Sequence, residues 1–161
     1  MVTLGTLKSL KLGSGPKTAH DFREAVKNTG LHIGDTANDL LDKPGFVFSS
    51  HETEVDIVFV HAYGLGLNPR EATFEDFCAR AKGRGNGLVL CPVEVGPQML
   101  LQYKQPKGEF IVIASESIVG SNGHPYRFIL YNNDAGHVLS AYNGYPDWIP
   151  GEAIIVFARN K

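Results

Sequence analysis

The stretch Leu88–Tyr103, reading LVLCPVEVGPQMLLQY, constrains this chain more than any other, because a strand, a strand-breaking turn and a helix start share one short run. The apolar residues from Leu88 to Val93 leave little room for a solvated face, which predicts a buried strand. Gly96 and Pro97 end any strand. Proline also suits a first helical turn, where its missing N–H would have had no partner. One carboxylate, Glu94, stands at the joint, and chemistry often sits at such joints.

The rest of the chain supplies partners for that segment. With 161 residues, 43% of them hydrophobic and 20% charged, one domain can bury its own core without a staple. Residues 1–15 read as a short strand or arm ending in the turn Gly13–Pro16. A helix is expected over Lys17–Asn28, with Phe22, Ala25 and Val26 inward, Thr18 capping the amide of Asp21, and Gly30 as the stop. A second helix, Asp35–Leu41, turns Ala37, Leu40 and Leu41 inward, with Asp35 as N-cap, and stops before Pro44. Together the two predict a helical hairpin. From Phe46 the period becomes two: Phe46 and Phe48, then Val55, Ile57 and Phe59, read as the first strand pair, turning near Ser50–Thr53. Thr73 caps a third helix over 74–82, with Asp76 completing a near capping box. Strands then follow at Phe110–Ala114, Tyr126–Tyr131, His137–Tyr142 and Ala153–Ala158, with a hairpin loop at Asn132–Gly136. The expected fold is therefore α+β: an N-terminal helical hairpin, one further helix, and a mostly antiparallel sheet ending in a C-terminal β-meander. Whether Val55–Val60 and Leu88–Val93 run parallel or antiparallel stays open.

Several function classes are disfavoured. A net charge of −2, with Lys8, Lys11, Lys17, Lys82 and Arg84 scattered, argues against nucleic-acid binding through counterion release. No apolar run approaches the roughly eighteen residues of a membrane span, and the first residues lack the apolar centre of a signal peptide, so a cytoplasmic location is expected. Cys78 and Cys91 have no CxxC spacing and read as structural thiols. Gly64–Gly66 and Gly83–Gly87 complete neither GxGxxG nor GxxxxGK[ST], and no cofactor is implied. There is no GxSxG elbow, and Cys91, mid-strand beside Pro92, would be inert unless folding brought His137 to it.

Three groups of residues could still carry function. Alternation puts Glu52, Glu54 and Asp56 on one face of an extended segment flanked by His51 and His61, as a shared divalent cation requires; a solvent-facing polar edge has the same pattern. Glu94 complements the free amides of the helix it precedes, or else lies in a cleft with Gln98, and with Tyr103 or His137, as general base or ligand clamp. Tyr142, Tyr145 and Trp148 concentrate aromatic rings in a turn-rich loop, either closing the end of the sheet or anchoring a partner.

At Leu90-Cys-Pro-Val-Glu-Val-Gly-Pro-Gln98, Leu101-Gln-Tyr103, Gln105-Pro-Lys-Gly-Glu109 and Pro146-Asp-Trp-Ile-Pro-Gly151, the chain resembles a group of uncharacterised bacterial proteins. Gly15–Thr18, Asp21–Arg23 and Ala37–Leu41 extend that likeness over nearly its whole length. The resemblance implies no activity. The leading expectation is a non-catalytic module that binds another protein through Tyr142, Tyr145 and Trp148. The alternatives are a small hydrolase- or lyase-like enzyme around Glu94 and Gln98, and a cation-binding protein using Glu52, Glu54 and Asp56.

Overall fold

In the computed structural model, the residues described are 7–27, 29–68, 71–83, 87–143 and 153–159. Two helices begin where threonine hydroxyls take up free amides. The Thr18 hydroxyl accepts from the Asp21 amide at 3.0 Å and opens α1, Ala19–Val26, whose Phe22 and Val26 are buried. Thr73 and Asp76 form a complete capping box and open α3, Phe74–Lys82, burying Phe74, Phe77 and Ala81.

The expected helical hairpin does not form. A strand, β2, Leu31–Ile33, separates α1 from α2, Asp35–Leu40, and pairs in parallel with β8, Gly136–Tyr142, matching Leu31 to His137 and Ile33 to Leu139. Its three residues are too few for period two to stand out from a loop, and its partner lies at the other end of the sequence. Gly34, in extended conformation, precedes α2, so Asp35 sits in the first turn and is not the N-cap.

The sheet is mixed, which corrects the expectation of a mostly antiparallel one. β1 (Leu7–Leu12) pairs antiparallel with β3 (Thr53–His61), and β3 pairs antiparallel with the last strand, β9 (Ile154–Arg159). On its other side β9 runs parallel to β5 (Phe110–Ile113) and then antiparallel to the two-residue β4 (Leu88–Val89). β5 continues antiparallel to β7 (Pro125–Asn133), which pairs with β8 and, at its start, with β6 (Ile118–Val119). The main order is β1-β3-β9-β5-β7-β8-β2. The expected meander thus holds only through β5, β7 and β8, because the final strand crosses over to fill the gap between β3 and β5. Nor do Phe46 and Phe48 form a strand beside β3, whose partners are β1 and β9. Strands β3 and β4 flank β9 and both oppose it, so they run in the same direction as each other.

Strand β9 enters the centre because it is apolar on both faces. Ile154, Val156 and Ala158 point into one core with Ile57 and Phe59, while Ile155 and Phe157 point into another with Val58 and Val60. The second core is closed by α3 and a short 3₁₀ turn, Ala62–Leu65, through Phe74, Phe77 and Leu65. The first is closed by α1, α2 and α4, Val95–Gln102. The sheet is curled, so α4 touches β1 at one edge and β7 and β8 towards the other. Val95, Gly96, Pro97, Gln98, Met99 and Leu100 are all buried inside that curl. The fold is a single α+β domain, and among the described residues no helix is long and apolar enough to cross a membrane.

The approach of α4 to β7 requires Gly96. A Cβ there would lie 2.7 Å from the Cβ of Phe128 and 2.9 Å from its Cγ, closer than real carbon contacts come. Gly96→Ala is expected to lower stability by about 1–3 kcal/mol, as overpacked cores do. Gly45→Ala, whose Cβ meets only Ile118 at 3.5 Å, is expected to change stability by less than about 0.5 kcal/mol. Urea unfolding of both variants checks the contrast.

Candidate functional site

Residues four apart share a helix face, and along α4 that rule aligns Glu94, Gln98 and Gln102. The three side chains form a ladder against the end of β1. One carboxylate oxygen of Glu94 accepts from the Gly13 amide at 2.7 Å and from the Gln98 side chain at 2.8 Å, while the other accepts from the Ser49 amide at 2.7 Å. The Gln98 side chain also donates to the Ser14 carbonyl at 3.1 Å, and its oxygen accepts from Gln102 at 2.7 Å. Gln102 then grips Lys11 twice, accepting from its N–H at 3.0 Å and donating to its carbonyl at 2.8 Å. The Lys17 ammonium donates to the Gly13 carbonyl.

Glu94 and Gln98 are each 1% exposed. The carboxylate does not cap the amides of its own helix, contrary to the simplest reading of its position. It holds two loops instead, one after β1 and one before β3. Gly13 fits there because its φ of +69° and the His51 carbonyl oxygen, 2.2 Å from where a Cβ would stand, leave no place for a side chain.

The other sequence candidates are not gathered around that carboxylate. Tyr103 lies at the opposite end of α4, about 13.5 Å along the axis at 1.5 Å per residue. Its hydroxyl donates to Glu109 at 2.8 Å, and burial, with that carboxylate beside it, pushes the phenol well above its ordinary range. His137 lies in β8 opposite Leu31 and Asn132, where burial lowers the imidazole. Asn132 donates to the Gln105 carbonyl at 2.7 Å, and the Gln105 amide donates to the carbonyls of Glu109 and Leu130. Among the described residues, the buried Gln105 Oε1 and His137 Nε2 find no partner.

Glu52 reaches Lys11 at 3.7 Å, Glu54 accepts from Ser9, and Asp56 stands opposite Ser9 in the strand register. Among the described residues no three His, Cys, Asp or Glu side chains come together as a metal site. Burial pushes the Cys78 thiol up to about 11 and Cys91 higher still. The Cys91 thiol donates to the Val156 carbonyl at 3.4 Å on β9, three strands from His137 on β8. Tyr142 packs half-buried against the second core, while Tyr145 and Trp148 lie outside the described residues.

Sequence reasoning passed over a network that joins α2 to the turn before β7. Asp39 accepts from the amide of Ser121 at 2.8 Å and from its hydroxyl, and Lys43 approaches both, at 3.3 Å from the carboxylate. A cleft of about 230 Å³ adjoins it, lined by Asp35, Thr36, Asp39, Ser121, Asn122 and Tyr126. The hydroxyl and amide of Ser121, helped by Lys43, hold Asp39 below the usual carboxylate range. The Ser121 hydroxyl already donates to that weak base and Lys43 is paired with the same carboxylate, so the trio works as a tie between two elements. Eighty-two residues separate Asp39 from Ser121, and no local pattern marks the pair. No family model, curated protein or solved structure matches the chain.

Two outcomes follow for these groups. Glu94→Ala strands buried donors and is expected to cost about 2–4 kcal/mol, with Glu94→Gln intermediate because it keeps one acceptor oxygen; chemical denaturation measures both. His137 titrates lower in the folded chain than its ordinary 6.5, so the unfolded chain takes up that proton first. Stability should therefore fall as pH drops below about 6.5, and His137→Leu should flatten that part of the profile. Matching slopes for both chains between about pH 7 and 5 would contradict this assignment.

Proposed function

We propose that this chain is a non-catalytic module that binds another protein. The observation that carries the reading is the state of Glu94: the carboxylate best placed by sequence for catalysis is 1% exposed and accepts three hydrogen bonds from the chain itself. A general base has to reach a substrate proton directly or through one water, and this one is turned inward. The remaining candidates are dispersed: Tyr103 is tied to Glu109, and Cys91 is buried in the core.

Exposed apolar surface supports the binding side of the proposal. Val47 is 68% and Val119 58% exposed, and they stand on adjoining segments, since Gly45 abuts Ile118. The second proposed contact is the set of rings Tyr142, Tyr145 and Trp148, of the kind that dominate interface energetics. Affinity capture with the intact chain tests both. Either Trp148→Ala or the pair Val47→Asp with Val119→Asp is expected to lose a partner retained by the parent, with thermal midpoints within a few degrees of it. Capture of the same partners by all three chains would count against both contacts.

A further inference from the structure

The sequence holds three Asn–Gly steps, Asn86–Gly87, Asn122–Gly123 and Asn143–Gly144, and the middle one lies wholly within the described residues. Such a step is open to self-attack, because glycine has no Cβ to keep its amide nitrogen away from the asparagine side chain. Both residues are exposed and stand in the turn that joins β6 to β7. That turn holds every group the reaction uses. The Gly123 amide donates to the Gly120 carbonyl at 3.0 Å. Asn122 accepts from the His124 amide at 3.0 Å through Oδ1 and donates to the Tyr126 hydroxyl at 2.6 Å through Nδ2. The Tyr126 ring is itself held over Gly120, where a Cβ would come within 2.9 Å of it.

We infer that Asn122 is a site of self-modification by deamidation, and that the turn around it sets the rate. The Gly123 nitrogen gives its proton to solvent base and bonds to Asn122 Cγ, the Cγ–Nδ2 bond breaks, and Nδ2 leaves as ammonia with a proton taken from solvent. Water then opens the resulting succinimide to aspartate or isoaspartate, so the net change is amide plus water to carboxylate plus ammonium. In the closed turn the Gly123 proton is engaged by Gly120 and both ends of the Asn122 amide are pinned, which leaves the reaction to molecules whose turn has opened. The product sets a new carboxylate in the cleft that Asp35 and Asp39 already line, and has lost the donor to Tyr126. As isoaspartate it also lengthens the backbone beside Ser121, the partner of Asp39. This chemistry stands apart from the binding proposed above.

Peptide mapping of the native parent, of Tyr126→Phe and of the guanidinium-unfolded parent, each incubated at the same mildly alkaline pH, tests the inference through the aspartate and isoaspartate formed at Asn122. The unfolded chain is expected to change at least about tenfold faster than the native parent. Tyr126→Phe keeps the ring and loses the hydroxyl, and removing that one hydrogen bond should quicken the change by about three- to tenfold. Should the variant fail to fold, hydrogen exchange at the parent's Gly123 amide gives a second reading, since it requires loss of the same proton and should be slowed by a similar factor. Four results would each overturn the inference: Asn122 intact in the unfolded chain, Asn122 changing as fast in the native parent as in the unfolded one, an unprotected Gly123 amide, or a folded Tyr126→Phe no faster than the parent.

Discussion

The carboxylate of Glu94 is the fastening on which the arrangement of this fold depends. It is a buried charge, and a buried charge is tolerable only when its hydrogen-bonding capacity is met. Gly13, Ser49 and Gln98 meet it, at 2.7 to 2.8 Å, from three separate parts of the chain. Apolar packing alone would not select among the ways α4 could rotate inside the curl. Directed hydrogen bonds do, because turning the helix would strand the carboxylate and two backbone amides at once.

Once α4 is fixed, the sheet has to bend around it. Six of its eight residues are buried, and its contacts run from β1 to β7 and β8, so the helix acts as a form on which the strands curl. Gly96 permits the closest approach, against Phe128. Gln98 and Gln102 extend the same polar line to the edge strand, where side-chain amides take up backbone groups that would otherwise face water or another chain.

What the sequence revealed follows the range of the interactions involved. Thr18 and Thr73 act on amides three residues away, so both helix starts were readable from the residues nearby. The joint at Glu94 was visible too, because proline and glycine mark it. Its role was not visible, since its partners Gly13 and Ser49 lie 81 and 45 residues distant and contribute only backbone amides, which any residue but proline could supply. The same limit hid β2, three residues long with a parallel partner at the far end of the chain, and the crossing of β9 between β3 and β5. It also hid the tie between Asp39 and Ser121. The polar end of the sheet at Gln105, Asn132 and His137 holds two buried atoms without a partner among the described residues, a concentration that composition and spacing give no reason to expect.

The most direct test of Glu94 as the central fastening is native-state hydrogen exchange at Gly13 and Ser49, the two loop amides that point into its carboxylate. If the account is right, both exchange only through unfolding of most of the domain, with protection close to that of the Val156 and Ile113 amides in the sheet. Exchange at the rate of exposed loop amides such as Ser50 would show that the carboxylate does not hold those loops, and would contradict the account.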